Sequence, residues 1–224
     1  MSIKVVRSLL LWLAGAALFM PLIVMSSSFI FPFIVPKILF LRSIVVGMLG
    51  CYALLLISDW NTYKPRLTWQ TGAVGLFFLS FAISTFVGVD SYRSMWDNHE
   101  RMLGLFTLLH YGAFFLVLSS PAVDKKGWVV LSRLLLLSGF LTMLVGFIQK
   151  TVGPNVMLNN GADRVIATLG NAIYVSGYGL FLWLFGAYWW SKESTVWGKR
   201  GALIVSVFGF LGIFFGGTRG TLLA

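Results

Sequence analysis

Residues 134–147 read LLLLSGFLTMLVGF, and this stretch decides the fold class of the chain. It contains no charged residue, and it lacks the alternation of apolar and polar positions that a membrane β-barrel strand needs. Comparable charge-free runs, each enclosed by two charged residues, recur along the sequence: Arg7–Lys37, Arg42–Asp59, Arg66–Asp90, Arg101–Asp124, Arg133–Lys150, Arg164–Lys192 and Arg200–Arg219. A helix needs roughly 20 mostly apolar residues to cross a bilayer. Because lipid offers the backbone no hydrogen-bond partners, such runs are expected to be helices.

The composition excludes an ordinary soluble domain. Of the 224 residues, 58% are hydrophobic and only 11% are charged, whereas a soluble domain carries about 25% charged residues. The net charge of +10 fits Lys- and Arg-rich cytoplasmic loops better than a nucleic-acid partner, which we do not expect. We therefore predict an all-α, polytopic membrane protein whose residues 1–224 form a single transmembrane helical domain.

The loops and charges predict the number of spans and their direction. The sequence predicts about seven membrane spans, with Thr221–Ala224 as the start of an eighth helix: 8–28, 38–58, 68–88, 103–121, 128–149, 172–190 and 201–216. With the N-terminus in the cytoplasm, nine basic residues lie on the inner side and seven on the outer side. This modest bias predicts a cytoplasmic N-terminus. Arg133 falls inside the fifth span, and we expect its side chain to extend to the cytoplasmic interface.

The basic residues predicted on the outer side need an explanation. They are Lys37, Arg42, Arg93, Arg101, Lys150, Arg164 and Arg219. One explanation is local pairing, for example between Asp97 and Arg101, which are four residues apart at the predicted start of the fourth span. The other is an anionic substrate at the membrane surface, because several arginine forks together suit a pyrophosphate. The two histidines, His99 and His110, form no metal site, and His110 is expected to be packed and hydrogen-bonded.

Four strings occur in a fixed order with apolar segments between them. They are FPFIVPKILFLR (31–42), SMWDNHERMLGLFTLLHY (94–111), RVIATLGNAIYVSGY (164–178) and GTRGTLL (217–223). Together they resemble the O-antigen ligase superfamily of bacterial membrane glycosyltransferases. The resemblance implies transfer of a glycan from an undecaprenyl-pyrophosphate carrier to an acceptor hydroxyl on a lipid or protein. The reaction would occur at the outer face of the inner membrane, in lipopolysaccharide biosynthesis, without a metal or cofactor.

The resemblance also implies a set of binding residues. Arg164, which precedes a turn at Gly170 and Asn171, matches an arginine that engages the pyrophosphate region. Arg219 matches a Ser/Thr-Arg-Gly motif, and Lys37 and Arg42 match basic positions that open the second helix. With Arg101, these residues form the candidate pyrophosphate-binding set. The chain departs from the family at the turn, where Asn171 is followed by Ala-Ile-Tyr rather than by a Pro-Asn pair.

A larger departure follows GTRG. The family carries a long outer loop there, with a further arginine and the histidine proposed as catalytic base, and this sequence stops four residues later. Neither His99 nor His110 matches that histidine, so the catalytic residue is unassigned. We expect the chain to be the N-terminal part of a longer protein and to be inactive alone, because the acceptor hydroxyl needs a proton acceptor.

Three alternatives stay open on the sequence. An O-antigen polymerase or a protein O-oligosaccharyltransferase of the same superfamily would carry the same strings. A multi-pass transporter or scaffold without catalysis would be a different class. A transporter would more often carry ionisable groups near the midplane or broken helices in two matching halves. Here the charges cluster at the ends of the spans, with Arg133 as the main exception.

Overall fold

The computed structural model describes residues 2–27, 30–153, 156 and 164–223, except for the side chain of Leu222. Over these residues the regular structure is helical, which confirms the all-α prediction for this part of the chain. The helices in chain order are α1 (Ile3–Ala17), α2 (Val35–Ser58), α3 (Trp60–Tyr63), α4 (Trp69–Val87), α5 (Ser91–Trp96), α6 (Leu105–Ser119), α7 (Lys125–Val152), α8 (Ala172–Lys192), α9 (Val196–Gly216) and α10 (Arg219–Leu223).

Five of the described helices, α2, α4, α7, α8 and α9, are long and apolar enough to cross a membrane. The chain is therefore a helical membrane protein. From the second onward, each predicted span coincides with a helix to within a few residues. The helix α6, which corresponds to the fourth predicted span, is apolar but only 15 residues long. The predicted start of a further helix at 221 falls within α10.

The first predicted span, 8–28, was wrong in both of its bounds. The helix α1 begins at Ile3, where the Ser2 hydroxyl accepts a hydrogen bond from the Val5 amide, and it ends at Ala17. A 3₁₀ turn at Met20–Leu22 follows. Pro21 has no backbone N–H and disfavours helical geometry at the residue before it, so the helix cannot continue through this point. The sequence beyond it is apolar, which is why hydropathy alone extends the span.

The first of two compact units comprises Met1–Met20 and Ile34–Leu131. Its core joins α1, α2 and α6, and fully buried members are Leu10, Met48, Leu55 and Val117. Side chains of α1 and α2 bind at the two ends of α6. Arg42 of α2 bonds Thr107 in the first turn of α6, and Arg7 of α1 bonds the Ala122 carbonyl just beyond its last turn. Thus α6 separates these two arginines.

The second unit comprises Pro21–Phe33 and Ser132–Ala224, and its centre is the antiparallel hairpin of α8 and α9. Small residues let the two backbones touch: a Cβ added at Gly179 would lie 2.6 Å from the Gly209 carbonyl oxygen. One added at Gly216 would lie 2.5 Å from the Ala172 carbonyl oxygen. Close approach of this kind is typical of membrane helix pairs with small residues at the interface. Glycines on both helices of the hairpin therefore allow this close packing.

Candidate functional site

Arg164 lies at the end of α9 and binds its last carbonyl. Its Nε and one Nη donate to the Gly216 carbonyl oxygen at 2.8 and 2.6 Å, and the same Nη donates to the Thr218 hydroxyl at 3.1 Å. Gly217 closes the helix with a φ of 57°, a left-handed conformation that favours glycine. A cation at this position also meets the negative end of the helix dipole. Two of the strings that carry the family resemblance, at 164–178 and 217–223, therefore adjoin.

A buried glutamine holds the segment that follows Arg164. Gln149 of α7 is 2% exposed; its amide oxygen accepts from the Ala167 N–H at 2.8 Å, and its Nε2 donates to the Val156 carbonyl at 3.0 Å. Ala167 has a φ of 46°, which is uncommon for a residue with a side chain. The glutamine therefore positions a strained turn next to the candidate site. This residue is not predictable from the sequence, because a single Gln at the end of an apolar run has no distinctive spacing.

Gly170 and Asn171 form the turn into α8, at the position where the sequence places it. Gly170 has a φ of 76°, and a Cβ there would lie 2.5 Å from the Phe33 Cβ, so both conformation and space favour glycine. The Asn171 side chain accepts a hydrogen bond from the Ile173 amide at 2.9 Å and caps the helix. Arg219 begins α10 one residue after Thr218 and is exposed. Arg164 and Arg219 are thus brought to one loop cluster in the second unit.

The remaining candidate cations lie in the first unit. Arg42 donates to the Met102 carbonyl at 3.3 Å and to the Thr107 hydroxyl, and its guanidinium lies 4.9 Å from the centre of the Phe106 ring. Lys37 is buried in the first turn of α2. These contacts bind Arg42 to the loop that contains Arg101.

The sequence predicted Arg101 at the start of the fourth span, but in the structure Arg101 lies in a loop before the helix. The helix α6 begins at Leu105, and residues 97–104 form a tight loop closed by Gly104, where a Cβ would lie 2.6 Å from the Met95 carbonyl carbon. Among the described residues, no ion pair joins Asp97 to Arg101. Asp97 instead accepts from the Leu103 amide at 2.9 Å, and this bond lowers the pKa of its carboxyl below the usual value.

His110 lies on α6 in the packed environment that was expected. Its Nδ1 is 2.7 Å from the Phe106 carbonyl oxygen, and its ring meets the Phe106 ring edge-on at 4.7 Å between centres. Within the described ranges, no three His, Cys, Asp or Glu side chains cluster closely enough to hold a metal ion.

Arg133 has a partner that the sequence did not predict. Its guanidinium makes a two-pronged contact with Glu193, with Nε–Oε2 at 3.2 Å and Nη2–Oε2 at 2.8 Å. Glu193 caps the end of α8, and its side chain is only 4% exposed. The bond from Arg133 lowers the pKa of this carboxyl. Arg133 therefore binds the carboxylate at the end of the neighbouring helix, and its extension to the cytoplasmic interface stays a prediction.

The geometry of the second unit gives one cluster in which sequence-predicted residues meet. Arg164, Thr218 and Arg219 lie at the end of α9, and Gly170 and Asn171 open α8 beside it. In the first unit, Arg42 of α2 contacts the loop that contains Arg101. Comparisons of the chain with protein-family models, curated proteins and solved structures gave no match.

Proposed function

We propose that this protein is an O-antigen-ligase-like glycosyltransferase of the bacterial inner membrane. It would move a glycan from an undecaprenyl-pyrophosphate carrier to an acceptor hydroxyl at the outer face. The proposal rests on the ordered strings of the sequence. The observation that carries it furthest is the bond from Arg164 to Thr218, which joins two strings that are 39 residues apart at their closest.

The chemistry of this cluster suits a departing pyrophosphate. Glycosyl transfer builds negative charge on the leaving group, and fixed cations stabilise that charge. Arg164 is held in place through Gly216 and Thr218, so its orientation is set before a ligand arrives. Arg219 adds a second cation, directly after the Thr218 that Arg164 binds. Both lie at helix ends, where the phosphate of a membrane carrier would be.

Deletion of the gene in its own bacterium tests the function and separates the alternatives. A ligase should leave lipopolysaccharide without its long glycan while the carrier-linked glycan accumulates. A polymerase should leave a single repeat unit on the lipopolysaccharide. A protein O-oligosaccharyltransferase should leave lipopolysaccharide unchanged and remove glycan from proteins. Unchanged lipopolysaccharide, glycoproteins and carrier-linked glycan together would contradict the proposal.

We further propose that the chain crosses the membrane seven times with its N-terminus in the cytoplasm. The two crossings beyond the five long helices would be α1 and α6, each 15 residues or about 22 Å long. This is shorter than the ~30 Å hydrocarbon core, so the flanking apolar residues would complete each crossing. The loop bias of nine basic residues against seven supports this direction.

Cysteine labelling in intact cells tests this topology. In a Cys51→Ala background, Met95→Cys should react with a membrane-impermeant reagent, whereas Lys125→Cys and Thr195→Cys should react only after permeabilisation. Lys125 and Thr195 are exposed, and Met95 is half-buried within α5. Labelling of positions 125 and 195 from outside, without labelling of position 95, would reverse the orientation.

A further inference from the structure

A cleft of about 380 Å³ opens between the beginning of α1 and the beginning of α7, within the first unit. Lys4, Arg7 and Ser8 line one side, and Asp124 and Lys126 line the other. None of these residues belongs to the candidate site described above. By the order of the helices, they lie just outside two apolar segments, where a membrane surface would be.

The charges of the cleft are only partly balanced. Arg7 donates to the Ala122 carbonyl through Nε at 2.9 Å, and its Nη2 lies 2.8 Å from the Asp124 carboxylate. This pair accounts for one cation and the single carboxylate. Among the residues that the structure describes, no carboxylate lies within 4.0 Å of the ammonium group of Lys4 or Lys126. The cleft therefore keeps a net charge of +2, supplied by two exposed lysines.

The floor of the cleft is apolar. Leu11, Val130 and Leu131 form it, and Leu11 lies about 10 Å along α1 from Lys4. Trp128, which is 46% exposed, lies in the first turn of α7 beside these positions. Exposed tryptophans at helix ends are typical of the membrane interface. A ligand in this cleft thus meets cations first and hydrocarbon side chains deeper down.

We propose that this cleft binds the phosphate of an anionic membrane phospholipid. Lys4 and Lys126 contact the phosphate, and the glycerol and the first carbons of an acyl chain lie on Leu11 and Val130. Arg7 stays with Asp124 and sets the spacing of the two helix ends. The apolar floor favours a lipid over a free phosphate ion, which would gain nothing from Leu11, Val130 and Leu131.

Native mass spectrometry of the purified protein in detergent tests the proposal. The probes are phosphatidylglycerol, which is anionic, and phosphatidylcholine, which has no net charge. Wild-type protein should retain phosphatidylglycerol preferentially, and Lys4→Gln with Lys126→Gln should weaken this retention about fivefold for each lysine. The matched control removes two exposed cations elsewhere, with Lys64→Gln and Arg66→Gln, and should retain the lipid like wild type.

A second variant keeps the charge and fills the space. Ser8 is exposed in the cleft, so Ser8→Trp should fold normally and still reduce lipid retention. Equal retention by the wild type, the cleft pair and Ser8→Trp would overturn the proposal. So would equal loss in the cleft pair and the control pair, which would indicate a diffuse surface effect. Displacement of the adduct by millimolar inorganic phosphate would assign the cleft to a soluble anion and overturn the lipid assignment.

Discussion

The two ends of the α8–α9 hairpin hold an arginine in different ways. At the end where α8 stops, Arg133 contacts the Glu193 carboxylate with two donors, and the charges cancel. At the other end, where α9 stops, Arg164 binds the Gly216 carbonyl and the Thr218 hydroxyl, and its positive charge is kept. The first unit repeats this division across α6: Arg7 pairs with a carboxylate, whereas Arg42 binds a carbonyl and a hydroxyl.

The difference teaches where an anion could be accommodated. An arginine that is already paired with a carboxylate has its charge neutralised and attracts an anionic ligand less. Carbonyl and hydroxyl oxygens orient a guanidinium through hydrogen bonds but leave its charge for a ligand. Arg164 and Arg42, both taken from the family resemblance as pyrophosphate contacts, are of this second kind. Arg133, which belongs to no family string, is of the first.

Arg133 and Arg164 lie at opposite ends of the α8–α9 hairpin. Breaking the contact between α8 and α9 should therefore have the largest effect on stability. A side chain at Gly216 would overlap the Ala172 carbonyl and Ser176, so Gly216→Leu should reduce the free energy of unfolding by about 3 kcal/mol. A Cβ at Gly201 on the same helix meets no atom within 4 Å, so Gly201→Leu is the matched control. Thermal unfolding in detergent measures both, and equal melting temperatures would contradict this account of the hairpin.

The carboxylate end should be the next most sensitive. Glu193→Gln leaves Arg133 beside a neutral amide and replaces one of two acceptor oxygens with an NH2 donor, so the melting temperature at pH 7 should fall. The folded-state pKa of Glu193 is lowered, so its stabilising effect is complete above the unfolded value of about 4.3 and is lost as pH falls through the folded value. The melting temperature of wild type should therefore drop more between pH 6 and pH 3 than that of Glu193→Gln. Parallel pH profiles would show that the ion pair does not stabilise the fold.

Much of this fold is predictable from the sequence, but its contacts are not. The helices α2, α4, α6, α7, α8 and α9 follow from charge-free runs, because hydropathy reports directly on length and lipid exposure. The early end of α1 depends on Pro21 within a sequence that is otherwise apolar. The loop at Arg101 depends on Gly104 approaching Met95, which no periodic pattern reveals.

The candidate site was predicted only as a set of residue types. The strings placed Arg164 and Gly170 near a turn, and the structure has that turn. The sequence could not indicate that Arg164 binds the end of α9, because residues 164 and 216 are distant in the chain. Gln149 was missed for the same reason: its importance comes from Ala167, whose backbone conformation it supports. The role of these residues in binding pyrophosphate stays a prediction.

Substitutions of Arg164 can separate its effect on the stability of the fold from its effect on ligand binding. Arg164→Ala removes a cation from the end of α9 and should lower the free energy of unfolding by about 1 kcal/mol. Arg164→Lys keeps the charge but loses the planar fork, so it should unfold nearly like wild type yet bind a short polyprenyl pyrophosphate about tenfold more weakly. Arg93→Ala, an exposed change on α5, is the control. Full binding by both Arg164 variants would remove this residue from the proposed site.

The smallest effect on stability is expected at Arg7 and Asp124, because both side chains are partly exposed, at 32% and 47%. Asp124 also accepts from the Gly127 amide at 2.8 Å, at the beginning of α7, and that bond lowers the pKa of its carboxyl. Asparagine caps a helix about as well as aspartate, so Asp124→Asn should unfold close to wild type. It should nevertheless raise the net charge of the cleft by one and release Arg7 from its carboxylate. An increase in retained phosphatidylglycerol, with melting nearly unchanged, is therefore expected. Lower retention at unchanged melting would show that the ion pair itself forms the lipid contact and that charge alone does not control the cleft.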